Sequence, residues 1–476
     1  MDELIEFLTR VRPDIELSIG LLIAVIVTIH VLQTKREVAA AAAWIGLAWF
    51  APFFGGFAYF VLGVNRVRRR ARRLRAPSAG RGRGDLERRE LAKGDGHLEP
   101  LRRGVGRITG RQTEPGNAVR ILSNGDEAYP EMLEAIESAK QTIGLSSYIM
   151  QADTIGGRFV AALQAAQKRG VEVRVIVDGV GSGWLLSPVY HRLRAAGVPV
   201  GRFMHSYMPW RMPFLNLRTH KKILVVDGRL GFTGGINIAD QNLIANRPKD
   251  PVQDTHFRIE GPIVAQLVFA FARDWAFVAD EDLDGDEWYP ALDTCGESLA
   301  RVVTAGPDED LEKVEFAVLQ AVACSRDSIR IMTPYFLPDE RLMTALSLAA
   351  MRGVDVQVVL PAKGNHRLLD WAVRANIGPL LKDGVKVWRC APPFRHSKML
   401  VVDGAWSLIG SSNWDMRSFR LNFELCVEVY DTKLSGALEA LVAESKVDRL
   451  EIAEINARNF VVRMRDAGAR LLLPYL

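Results

Sequence analysis

Hydrophobic positions fall into two regimes along the chain. Residues 17–32 form an apolar run whose one strongly polar interruption is His30, and after a short polar stretch a second apolar run of 27 residues fills 38–64. A helix needs about 20 apolar residues to cross a bilayer, so the pattern predicts a transmembrane helical hairpin over residues 1–65, with spans near 15–33 and 38–64. Gly46, Pro52, Gly55 and Gly56 interrupt the second run. The residues before Leu17 carry five acidic side chains, not the basic start of a secretion signal. His30, near a helix end, reads as a tolerated polar residue. Residues 66–117 lack a hydrophobic period and are rich in Gly, Arg and Pro, which predicts a basic juxtamembrane segment and linker. From about residue 118, short β-branched runs alternate with helical patterns, the signature of an α/β fold.

That alternation occurs twice. KRGVEVRVIVD (168–178) is echoed by MRGVDVQVVLP (351–361), GVPV (197–200) by GVKV (384–387), and THKKILVVDG (219–228) by RHSKMLVVDG (395–404). The offsets are 183, 187 and 176 residues, so the first copy holds an insertion within residues 201–217. Its apolar residues, among them Phe203, Met208, Trp210 and Phe214, fit either a buried flap or an apolar lip over an acyl-chain entrance. Two copies of one domain predict a pseudo-two-fold pair, residues 118–295 and 296–476, whose equivalent residues converge on one shared active site.

Charge sharpens the picture. Of the net +5, residues 66–93 contribute +9, leaving −4 for the rest. Arg66, Arg68, Arg69, Arg70, Arg72, Arg73 and Arg75 crowd the end of the second predicted span, marking it as cytoplasmic. They serve topology alone or also bind anionic headgroups. An acidic remainder argues against a nuclease, since duplex binding calls for a basic face. Four widely spaced cysteines without a CxxC pair argue against a disulfide framework or a cysteine zinc site.

Both copies contain H-x-K-x4-D: His220, Lys222 and Asp227 in the first, His396, Lys398 and Asp403 in the second. Each is followed at the same offsets by a glycine and an asparagine, Gly234 and Asn237, then Gly410 and Asn413. On a strand, His and Lys two apart share a face, and Asp-Gly supplies a turn into the next strand. The small residues Gly235, Ser411 and Ser412 would let backbone approach an anion. Two imidazoles, two ammoniums, two amides and backbone N–H groups predict a pocket for a phosphate and its charged transition state. The set calls for no metal or cofactor, since it lacks the clustered His and carboxylates of a zinc or magnesium site.

The sequence resembles the phospholipase D superfamily and, within it, the bacterial cardiolipin synthases. The resemblance rests on NLRTHKKILVVDG (216–228), GGINIAD (234–240), DTHFRIEGP (254–262), TPYFLPDERL (333–342) and GSSNWDMRSFRLNFE (410–424), together with the apolar hairpin and ARLLLPYL (469–476). It implies two phospholipase D-like α/β domains and a phosphohistidine intermediate, with His220 attacking and His396 acting as acid and base. It also implies that Asp254 and Glu424 orient the imidazoles, and that Arg417 and Ser418 brace the second site. Asp227 and Asp403, beyond the strand, read as structural. Val252 and Gln253 replace an aromatic the family carries, and Asn365 stands where an acidic residue is common, departures that bear on headgroup choice. The expected reaction is phosphatidyl transfer between two phosphatidylglycerol molecules at the inner membrane of a bacterial cell. The catalytic domains would lie on the cytoplasmic side of a multi-pass anchor. A hydrolase, a transferase using another alcohol, a nuclease and an inert scaffold are the rivals, separated by product identity and DNA cleavage.

Overall fold

The computed structural model describes residues 2–34, 38–63, 96–205 and 217–471. The arginine tract and most of the 201–217 insertion lie outside them. The apolar amino-terminal helices and the body that follows are separate compact units.

In the first unit, one helix spans Asp2–Thr34, and its Arg12–Thr34 portion is long and apolar enough to cross a membrane. The second apolar run is not one helix. It forms Val38–Phe50, breaks at Ala51 (φ −143°, ψ 70°), and resumes as Pro52–Ala58 and a π-helical turn at Tyr59–Gly63. Pro52 supplies the cause: it has no N–H to donate and its ring opposes continuation of the preceding helix. Val27, Val31, Ala48 and Tyr59 pack together. His30 Nδ1 meets the Tyr59 hydroxyl at 2.7 Å, which gives this apolar segment's polar residue a partner.

Among its described residues, the body is built on a fifteen-stranded mixed sheet. The first half holds β1 (Glu114–Ser123), β2 (Thr142–Ser147), β3 (Glu172–Asp178), β4 (Val200–Phe203), β5 (Ile223–Val226), β6 (Leu230–Gly234) and β7 (Thr255–Glu260). The second holds β8 (Ser298–Ala305), β9 (Ser328–Met332), β10 (Asp355–Pro361), β11 (Lys386–Cys390), β12 (Met399–Val402), β13 (Trp406–Gly410) and β14 (Glu424–Tyr430), with β15 (Asp448–Leu450) at the edge. Their spatial order is β15-β11-β10-β9-β12-β13-β14-β8-β1-β7-β6-β5-β2-β3-β4. Leaving aside β15, each half is the other run backwards, joined where β1 pairs antiparallel with β8. Each half combines a parallel trio with antiparallel strands, one of which the His-x-Lys motif immediately precedes, the topology the repeat predicts.

Two cores result. Helices 124–138 and 154–168 cover the first half around Tyr129, Phe159 and Phe232. The second half buries Trp406, Phe336 and the valines of β10 under helices 313–324 and 340–351. Part of the expected linker is structured instead. Residues 99–109 form a helix that buries Leu101 and Val105, with Leu98 just before it, in the core of the second half. Three apolar positions at a spacing of three and four carry this helix, amid arginines that mask its period. Arg301, buried in β8, ties it down by donating to the carbonyls of Arg102 and Arg111 while pairing with Glu428.

Candidate active site

The motif strands of the two halves meet through backbone. The amide of His220 donates to the carbonyl of Phe423 at 2.8 Å, and Phe423 donates to the carbonyl of Arg218 at 2.8 Å. In the other direction, the His396 amide donates to the carbonyl of Gln253 at 2.7 Å, and 394–395 pair in parallel with 252–253. Each histidine is thus held by the segment that carries the other half's carboxylate.

The side chains follow the same crossing. His396 Nδ1 lies 2.7 Å from Asp254 Oδ2, and His220 Nδ1 lies 3.0 Å from Glu424 Oε2. The carboxylate that follows each motif in sequence therefore serves the opposite histidine. With both Nδ1 atoms engaged, Nε2 is the nitrogen each ring has left for chemistry. The ring centres stand 6.4 Å apart, a gap suited to one phosphorus atom about 3 Å from each reacting nitrogen.

The two dyads differ in their surroundings. Ser411 donates its hydroxyl to Glu424 Oε2 at 2.5 Å and its carbonyl also faces His220 Nδ1 at 3.0 Å, while Asn422 donates to Glu424 Oε1 at 3.2 Å. In the first half the equivalent residue is Gly235, where a Cβ would stand 2.1 Å from Asp254 Oδ1. The backbone N–H of Gly235 donates to Thr255 and that of Ser411 to Leu425. This differs from the expectation that they bind phosphate: strand pairing uses those donors, and the residues shape the carboxylate positions instead. Ser412 likewise directs its hydroxyl to the Asn413 carbonyl. Gly234 and Gly410 precede them at φ 150° and 151°, where the chain bends within 2.7 Å and 2.3 Å of the neighbouring strand as a Cβ would see it.

The lysines lie under the histidines. Lys222 Nζ donates to the His220 carbonyl at 2.7 Å and Lys398 Nζ to that of His396. Burial lowers Lys222 to about 8 and Lys398 to about 7. Burial, then Lys222 and Lys398, holds His220 well below its ordinary value, and burial with Lys398 brings His396 to about 4. Both shifts favour the neutral imidazole, and a phosphate anion beside them acts in the opposite direction. Burial pushes Glu424 up to about 7 against Lys222, whereas His396 and Lys398 outweigh burial at Asp254 and keep it below the usual carboxylate range.

Asn237 accepts from the Ile149 amide, which leaves its NH2 as the donating side, and Tyr129 clamps its carbonyl at 2.6 Å. The Asn413 side-chain oxygen is buried without a partner. Asp227 and Asp403 take no part in the pocket. At φ 50° and 52° they cap the starts of β2 and β9, Asp227 accepting from the amides of Lys140, Gln141 and Thr142, and Asp403 from those of Arg326, Asp327 and Ser328. Ser418 donates its amide to Asp415, the helix cap beside which Arg417 lies. Of the departures, Gln253 accepts from Arg395 at 3.0 Å and Asn365 from the Tyr335 hydroxyl at 2.6 Å.

Several neighbours lacked a sequence assignment. Tyr148 sets its ring edge to face against His220 at 4.8 Å, and Tyr335 stands 6.4 Å from His396. They lie 187 residues apart, the offset of GVPV and GVKV, so comparing the repeats would have found them. Asp178, at the end of β3, accepts from the Thr219 amide at 2.9 Å and fixes the approach to His220. Among the described residues, no group of three or more His, Cys, Asp or Glu side chains is placed to hold a metal ion.

Comparison with known proteins agrees with this geometry. Residues 132–275 and 318–445 match the family described as cardiolipin synthase, phospholipase D-like domain, and residues 22–63 match the phospholipase D-nuclease N-terminal family. A cardiolipin synthase of Geobacillus kaustophilus is 33% identical over 468 residues, covering 93% of this chain and 90% of that one. Cardiolipin synthase A of Pseudomonas aeruginosa is 34% identical over 462 residues, with coverage of 95% and 94%. The solved phosphatidylserine synthase of Haemophilus influenzae shares the fold, with a TM-score of 0.62 over 79% of this chain and 100% of that one at 14% identity. The chain belongs to the cardiolipin synthase family, built from phospholipase D-like domains.

Proposed function

We propose that the protein transfers a phosphatidyl group from one phosphatidylglycerol to another, giving cardiolipin and glycerol. The crossed pair of His–carboxylate dyads above two buried lysines supports this reading most directly. Nε2 of His220 attacks the phosphorus of the first lipid, and the bond to the headgroup glycerol oxygen breaks. His396, which takes up a proton from solvent at Nε2 once the bound phosphate raises its pKa, delivers the proton that oxygen needs. His396 then takes the proton of the second lipid's hydroxyl, whose oxygen displaces His220 from phosphorus. Lys222, Lys398, Asn237 and Asn413 neutralise the phosphate charge. Asp254 and Glu424 hold the imidazole tautomers. Residues 118–295 and 296–476 act as one unit, the hairpin anchors them at the cytoplasmic face of a bacterial inner membrane, and no nucleic acid takes part.

Mass spectrometry of products from detergent-purified protein and phosphatidylglycerol alone tests this. Cardiolipin with stoichiometric glycerol is expected, and His220→Ala or His396→Ala should abolish it while preserving the fold. Phosphatidic acid with glycerol would make water the acceptor and overturn the transfer.

A further inference from the structure

The last described helix, Phe460–Arg470, carries a surface that its packing does not use. Its inner side is Asp466, bonded to Arg458 and Arg465, and Ala469, packed with Leu337 and Ala372. At 100° per residue, Phe460, Val461, Met464 and the following Leu471 gather in one stripe on the opposite side. They are 74%, 74%, 56% and 77% exposed. Arg463 and Arg470 border one edge of the stripe and Arg465 the other.

The helix is joined to the active site through one intervening helix. It packs on helix Arg367–Asn376, whose lead-in residues Asn365 and His366 hold Tyr335 beside His396. The first half offers a separate exposed apolar tip. After β3, Leu185 and Leu186 stand exposed on a loop whose backbone Arg202 grips at Gly179, Gly183 and Trp184, and Ser182 ties it to Tyr148. At the repeat offset of 183 the matching residues of the second half are Leu368 and Leu369, which are half-buried against Ala469 of this helix, whereas Leu185 and Leu186 stand uncovered.

We propose that helix Phe460–Arg470 lies in the plane of an anionic bilayer, its apolar stripe at the headgroup–acyl boundary and Arg463 and Arg470 among the lipid phosphates. An exposed apolar stripe with cationic borders is what such a surface selects. Four side chains fall short of the roughly 800 Å² per partner that a stable protein interface buries. The helix thereby seats the mouth of the site where lipid headgroups are presented. This rests on the phospholipid reading of the same site.

The test uses the full chain carrying Cys295→Ser and either Met464→Cys or Lys168→Cys, the latter on an exposed helical position of the first half. Each is labelled with an environment-sensitive fluorophore, against the Cys295→Ser background, in phosphatidylcholine–phosphatidylglycerol vesicles with and without doxyl-labelled lipid. Several-fold greater quenching at 464 than at 168, weakened by Arg463→Gln with Arg470→Gln, is expected. Equal quenching overturns the proposal. A blue-shifted label at 464 that doxyl lipid does not quench also overturns it, because protein then covers the stripe. Cardiolipin formation in the same vesicles is read separately. Quenching without turnover counts against the proposed function alone, and turnover without quenching counts against this helix alone.

Discussion

Replacing Asp254 by Asn should disable the histidine of the other half. The bond at stake, Asp254 Oδ2 to His396 Nδ1, is 2.7 Å long and its carboxylate is buried. A charge-assisted bond of this kind contributes about 1.5–3 kcal/mol, which is about 10- to 150-fold in rate at 1.36 kcal/mol per decade. An amide also stabilises the wrong tautomer, a change that costs about 10⁴ in a catalytic triad. The expected loss on phosphatidylglycerol therefore lies between about 10² and 10⁴. Two substrates separate the histidines. Glycerol is a poor leaving group that needs its proton, whereas nitrophenolate from a phosphatidyl nitrophenyl ester departs without one. Asp254→Asn should lose activity on phosphatidylglycerol yet retain most of the nitrophenol burst and the trapped phosphohistidine. Glu424→Gln, which acts on His220, should lose both. Equal damage to the burst by the two variants, or phosphohistidine trapped on His396, would refute the crossed assignment.

Gly235→Ala should cost activity on the scale of Asp254→Asn, because its methyl would stand 2.1 Å from the Asp254 carboxylate, whereas Gly436→Ala, which meets nothing within 4 Å on a helix, should leave turnover and Tm unchanged or slightly raised. With burial lowering Lys398 to about 7 and Lys222 to about 8, the free enzyme loses a phosphate-binding charge as pH rises. The kcat/KM profile should fall above pH 7, and Lys398→Arg, which stays charged, should move that limb towards the Lys222 value. Leu101→Ala should destabilise the fold by about 2–5 kcal/mol in chemical denaturation, since the side chain is fully buried against the second half; a change under about 0.5 kcal/mol would mean a true linker.

The repeat made much of this legible. His220, Lys222 and Asn237 recur as His396, Lys398 and Asn413 at matching offsets, and the valine-rich strands around them already spell the two halves of the sheet. Pairing across the interface carries no such signal. His396 and Asp254 are 142 residues apart, and His220 and Glu424 are 204 apart, so the crossing emerges only when the halves fold together. Gly235 and Ser411 looked like phosphate binders because small residues near an anion site usually are, yet the strands claim their amides. The helix at 99–109 hid because its core lies in the half that begins some 190 residues later, while its outward face is arginine. Pro52 was visible in the second apolar run, and its consequence, a broken helix, follows from its missing donor.

One position carries the chemical inequality between otherwise matched halves. At 235 a glycine leaves room for the short carboxylate of Asp254, and His396 and Lys398 keep that carboxylate ionised. At 411 a serine fills the space and bonds the longer Glu424, which burial pushes up to about 7. An imidazole that must gain and release a proton in every turnover needs a partner that stays negative throughout, to stabilise the imidazolium when it forms. An imidazole that attacks phosphorus needs first to be neutral and fixed in one tautomer, which the Ser411 carbonyl and Glu424 both enforce at Nδ1 of His220. The side chain of His396 is also the more open of the two, at 12% exposed against 7%, as suits the residue that must meet both a departing and an arriving alcohol. Exchanging the pairs, with Gly235→Ser and Asp254→Glu in one half and Ser411→Gly and Glu424→Asp in the other, should therefore shift the trapped phosphohistidine towards His396; a variant that stays active with the adduct still on His220 would show that the carboxylates orient the rings without choosing between them.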